Sequence, residues 1–151
     1  MAGQQSFSAQ VDQWAQATEQ RMTAVFRESS QRVIADMQTP VGAGGNMPIR
    51  TGFLRASLVV GINTAPVAAT RENPGKPAAA FQDSSVSAVI AGAEIGDHIT
   101  ASYGANYAAA VEYGTQGRAP RAFVRSAAQR WPSIVASVAN ELKNRVASTR
   151  P

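Results

Sequence analysis

The sequence predicts an α+β domain in which a long N-terminal helix and a C-terminal helix pack on a small, mainly antiparallel sheet of three to four strands. Apolar residues recur at steps of three and four near both ends of the chain, and they alternate in its middle. Clusters of proline and glycine separate the two regimes. At 151 residues the chain suffices for one compact domain and is too short for two well-packed ones, so 1–151 reads as a single unit.

Each element has its own signal. Phe7, Val11, Trp14, Thr18, Met22, Val25 and Val33 share one face of a helix over roughly Ser8 to Gln38, with a gap at Ser29. Thr39-Pro40 ends that helix, because proline disfavours helical geometry in the residue before it. Val41 to Asn46 is glycine-rich and reads as a flexible loop. Beyond Thr51-Gly52, Ala56, Leu58, Val60 and Ile62 alternate as a half-buried strand. Asn63 to Ser84 carries Pro66, Pro74, Gly75 and Pro77 and little apolar pattern, so it is expected as a long loop. Such a loop would be mobile in the free chain and order against a neighbour, with Val67 and Phe81 as anchors. Ser85 to Ala93 reads as a second strand and His98 to Tyr103 as a third, joined by a turn at Ile95-Gly96-Asp97. Asn106 to Tyr113 is a short helix closed by Gly114 as a left-handed cap. Phe123, Ala127, Trp131, Ile134, Val138, Leu142 and Val146 mark a final helix, broken after Trp131 by Pro132. Trp14 and Trp131 fall on these helical faces and are expected in helix packing.

Composition narrows the function classes. With no cysteine there is neither a disulfide framework nor thiolate chemistry. The polar start Met1 to Gln5 lacks a basic-then-apolar leader pattern, and no apolar run reaches the length of a membrane span. A cytosolic site of synthesis is therefore expected, with no membrane partner. Charged residues make up only 16% of the chain, which suggests that partners cover part of the surface. Charge is also uneven. From Gln116 onward seven cations face one anion, Glu141, whereas the first 115 residues hold seven cations and nine anions. A basic C-terminal third suits nucleic acid, an acidic protein ring, or simply a solvated helix face.

Two motifs about fifty residues apart carry the remaining signal. The first is Arg50-Thr51-Gly52-Phe53-Leu54-Arg55-Ala56-Ser57. The second runs Tyr107-Ala108-Ala109-Ala110-Val111-Glu112-Tyr113-Gly114-Thr115, followed by Arg118-Ala119-Pro120-Arg121-Ala122-Phe123. In their order and in the trailing proline and phenylalanine, they resemble the tail-completion (neck, or head–tail joining) family of long-tailed bacteriophages. The resemblance spans Arg50 to Ile62 and Tyr103 to about Ala128. It implies a non-enzymatic virion protein that forms a hexameric ring around the DNA channel, completing or terminating the tail. Its implied partners are further copies of itself, the tail-tube protein, the head connector or stopper ring, and phage DNA in transient, non-specific contact. The motif residues it marks as structural are Thr51, Gly52, Leu54, Arg55, Ser57, Tyr107, Ala108, Val111, Glu112, Gly114, Thr115, Pro120 and Phe123.

Several of these residues have roles that their chemistry suggests. Gly52 permits a sharp turn and Thr51 a local backbone hydrogen bond. Leu54 anchors the strand start. Tyr107 and Val111, four apart, pack downward together. Arg55 is either a surface arginine or the ion-pair partner of Glu112. Glu112 can bond the backbone or the Thr115 hydroxyl, whereas a general-base role would need a nucleophile or metal that the sequence does not offer. His98, the sole histidine, is expected to face solvent. Gly42 to Gly45 lacks the lysine and hydroxyl residue of a phosphate loop. No cofactor or metal site is expected. Arg118, Arg121 and Arg125 are the candidate interface or channel cations, with Asp12, Glu19, Glu28 and Asp36 as their intersubunit complement. The competing reading is a small basic nucleic-acid-binding domain that uses the C-terminal helix.

Overall fold

The computed structural model describes residues 6–73 and 80–148. Helix α1 (Phe7–Gln38) begins at Ser6, whose hydroxyl accepts the Ala9 amide at 3.3 Å, and it ends at Thr39 before Pro40. The glycine-rich stretch that follows is tightly closed rather than flexible. Pro40 and Met47 bridge, the Gly45 amide donates to the Pro40 carbonyl at 2.9 Å, and Met47 is fully buried. Gly45 lies so close to Thr39 that a β-carbon there would collide with its carbonyl.

A four-residue helix α2 (Phe53–Ala56) precedes strand β1 (Leu58–Ile62), so the strand starts two residues later than the alternation suggests. Strand β2 (Ile99–Tyr103) runs antiparallel to it, pairing Leu58 with Tyr103 and Ile62 with Ile99. Among the described residues the sheet has these two strands only. The expected strand at Ser85 to Ala93 is instead helix α3 (Asp83–Ala91). Val86, Ile90 and Ala93 are buried at steps of four and three, a period that alternation of the same short run conceals. The segment after β1 is also less free than expected. The Thr70 amide donates to the Gly104 carbonyl at 2.6 Å, Asn106 donates back to Thr70, and Val67 donates to the Ser102 hydroxyl. Phe81 packs against the core of its own chain, so neither anchor awaits a neighbour. The middle of the expected loop, 74–79, lies outside the described residues.

The turn into β2 is held by side chains. Asn63, left-handed at φ 56°, donates to Asp97 at 3.0 Å and accepts the His98 amide at 2.9 Å. The Glu94 amide, then Asn63, hold the Asp97 carboxyl below its ordinary range. His98 itself is exposed. Helix α4 (Ala108–Tyr113) follows, then α5 (Phe123–Gln129) and α6 (Trp131–Ser148). The expected single C-terminal helix is thus two, and the break falls at Arg130, before Trp131 rather than after it. Pro132 sits in the first turn of α6, where its missing amide has no helical partner to lose.

One core cluster joins Ile34 and Met37 of α1 to Leu58, Val86, Ile90 and Ala127, with Val60, Ile99, Ala101 and Tyr103 packed against it, so α1, α3 and α5 cover one face of the sheet. Surface pairs tie the helices further: Arg32 forks onto Glu141 at 2.6 and 3.0 Å, and Arg130 meets Asp36 at 3.1 Å. No helix among the described residues is long and apolar enough to cross a membrane.

Candidate functional site: the junction of the two motifs

The two motifs meet in a second core cluster. Leu54 from the first and Phe123 from the second are buried beside Met47 and Ala105, with Phe53, Tyr107, Ala108 and Val111 packed around them. Phe53 and Tyr107 lie with ring centroids 6.2 Å apart, and Tyr103 meets Phe123 edge-on at 5.1 Å. The first motif is built as its residue types suggest. Gly52 takes φ 82°, Thr51 accepts the Phe53 amide at 3.3 Å, and the Ser57 hydroxyl donates to the Leu54 carbonyl at 2.6 Å.

Arg55 and Glu112 do not pair. Arg55 turns to α1, donating to the Gln38 carbonyl at 3.0 Å, and its guanidinium lies over the Phe81 ring at 5.3 Å. Gln38 is itself buried and reciprocates by donating to the Arg55 carbonyl at 2.9 Å. The remaining Gln38 oxygen accepts the Tyr103 hydroxyl at 2.7 Å. Burial pushes the Tyr103 phenol above its ordinary range, and the negative Glu112 nearby pushes in the same direction.

Glu112 serves a different end. Helix α5 begins at Ala122, which has no side chain able to cap it and is left-handed at φ 48°. The Glu112 carboxylate fills that role from α4, accepting the amides of Val124 at 2.9 Å and Arg125 at 2.8 Å. The Arg125 guanidinium completes the arrangement, at 3.1 Å from the carboxylate and 2.9 Å from the Glu112 carbonyl, and stacks on Tyr113 at 4.7 Å. Both oxygens are therefore spent on structure, and Glu112 is only 5% exposed. Thr115 bonds through its backbone to Arg118 across a tight turn, not through its hydroxyl to Glu112. Gly114 has positive φ but extended ψ, so it is not the left-handed cap the sequence suggests. A β-carbon there would stand 2.8 Å from the Arg118 carbonyl oxygen and from the Pro120 nitrogen.

The three candidate cations separate. Arg118 and Arg121 project from the exposed turn, whereas Arg125 holds Glu112 and belongs to the fold. Glu28 and Asp36 are engaged within the same chain, by Arg32 and Arg130, and so are not reserved for a neighbour. A helix start whose cap position is alanine is the sequence signal that could have revealed the role of Glu112. Among the described residues no group of three acidic or histidine side chains is placed to hold a metal ion. Comparison with family models, curated proteins and solved structures finds nothing that matches.

Proposed function

We propose that this chain is a structural virion protein of a long-tailed bacteriophage. In this reading it forms a ring at the head–tail junction, completes or terminates the tail, and joins it to the head connector around the DNA channel. Assembly takes place in the host cytoplasm, and the mature location is the neck of the virion. The observation that carries the reading is the convergence of the two family-like motifs on one core, where their polar groups serve the fold. Glu112, the one carboxylate the two motifs contain, is consumed in capping α5. What the junction presents outward is the Thr115 to Pro120 turn with Arg118 and beyond it Arg121. Two exposed cations per subunit, repeated around a ring, would give the sparse, sequence-independent phosphate contact that sliding DNA requires. The finer assignments, a hexamer that abuts the tail-tube protein and a connector or stopper ring, rest on the same resemblance.

The test is to express the chain and determine its assembly by native mass spectrometry and electron microscopy, then to follow DNA affinity against salt. A closed ring with weak DNA binding is the expected result. A monomer whose DNA affinity falls steeply with salt would favour the basic nucleic-acid-binding domain instead.

A further inference from the structure

Helix α1 is far longer than the body it packs on. Its buried residues all lie at Ser29 or beyond; from Thr18 to Glu28 it lines the groove beside α6 or bonds the Ala93–Ile95 turn, and the turns from Phe7 to Ala17, about 16 Å of helix, extend beyond those contacts. On that projecting end the apolar stripe is bare: Phe7 is 82% exposed, Trp14 69% and Val11 45%. Trp14 is therefore not the packing residue its position on the helical face suggests. Where α1 passes α6 there is a second unfilled apolar surface, a groove of about 700 Å³ lined by Met22, Val25, Trp131, Val135, Ala139 and Leu142 among others. The stripe cannot fill the groove of its own chain, because α1 is one continuous helix and itself forms a wall of that groove.

We infer that the projecting N-terminal end of α1 lies in the α1–α6 groove of a second copy of this chain. Charge selects that occupant. Residues 7–20 carry Asp12 and Glu19 and no cation, while the groove is lined by Arg21 and Lys143 and no anion. Shape agrees, since a helix with anchors four and three residues apart is the usual occupant of an apolar groove. Burying Phe7, Val11, Trp14 and their neighbours against the groove would cover roughly 1,000 Å² in total, the lower bound of a specific interface. Donor and acceptor surfaces differ, so the contact is heterologous and repeats head-to-tail. The inference deepens the ring reading by naming a contact between subunits, but its residues lie outside the two motifs.

Sedimentation of two single variants and their mixture tests it. Trp14→Asp spoils the stripe and keeps the groove; Ala139→Glu spoils the groove and keeps the stripe. Both positions are exposed, so circular dichroism is expected to match wild type. Each variant alone is expected to be monomeric, whereas an equal mixture yields a one-to-one dimer that grows no further. The double reversal Asp12→Lys with Glu19→Lys is expected to lose assembly and to regain it when mixed with Arg21→Glu, Lys143→Glu protein. Wild-type rings that survive Trp14→Asp would overturn this interface while leaving the ring reading standing. A wild-type monomer would overturn both, even if a different protein occupied the groove.

Discussion

Replacing Glu112 with alanine removes an acceptor that three donors share: the amides of Val124 and Arg125 and the Arg125 side chain. Losing a helix cap costs about 1–2 kcal/mol, and hydrogen bonds to a charged, buried acceptor are worth about 1.5–3 kcal/mol each. The contributions overlap, and the Arg125 side chain is 46% exposed, so water replaces part of what it loses. The expected destabilisation is about 3 kcal/mol. At this chain length that is a fall of roughly 6–12 °C in melting temperature. Truncating Arg125 instead leaves both amides capped and is expected to cost only about 1 kcal/mol, as for a half-exposed pair. Equilibrium unfolding in urea of Glu112→Ala, Arg125→Ala and the double variant measures both costs and their coupling. A cycle of Glu112→Ala with Arg55→Ala is expected to be additive, since the two groups bond different partners. Equal costs for Glu112→Ala and Arg125→Ala, or strong coupling of Glu112 to Arg55, would refute the capping account.

Gly114→Ala is expected to destabilise by about 2 kcal/mol or more, because positive φ and the nearby Arg118 and Pro120 backbone both oppose a β-carbon; its urea midpoint reads this directly. The Ser29 hydroxyl is buried with no hydrogen-bond partner among the described residues, so Ser29→Ala is expected to be neutral or to stabilise by about 1 kcal/mol. Tyr103 titrates higher folded than its unfolded value near 10. Its contribution is thus full below that pH and is lost as pH climbs through the folded pKa. Tyr103→Phe, which also orphans a Gln38 oxygen, is expected to cost about 1 kcal/mol at neutral pH and to flatten the alkaline limb of stability. Identical limbs in the two proteins would contradict it.

The elements readable in the sequence were those with strong punctuation or long periodicity. Helix α1 has a serine at its start and Thr39-Pro40 at its end, and 32 residues between them leave no doubt of its period. Helix α3 is ambiguous in the sequence because nine residues rich in serine, alanine and valine fit either period, and tertiary burial of Val86 and Ile90 decides. With that segment helical, β1 and β2 are the two strands of the sheet among the described residues. At the junction, local roles such as those of Thr51, Gly52 and Leu54 were legible because they act within a few residues. The pairing of Glu112 was not, since its partner had to be chosen among several arginines by the path of the chain. The return of residues 114–122 places Arg125 against Glu112, while α1 captures Arg55. Trp14 shows the reverse limit: periodicity marks a face for covering without saying whether the cover lies in the same molecule.

If this chain is, as proposed, a ring subunit, its motif core is structural and its exposed turn meets DNA or a neighbouring ring. The most direct measurement is a reconstruction by electron microscopy of the assembled protein, paired with Arg118→Glu, Arg121→Glu protein of unchanged stability. Arg125 is left intact because it belongs to the fold. A closed ring around an open channel is expected in the wild type, with impaired assembly or DNA passage in the double variant. A wild-type protein that remains monomeric, or a double variant that assembles and passes DNA as well as wild type, would contradict it.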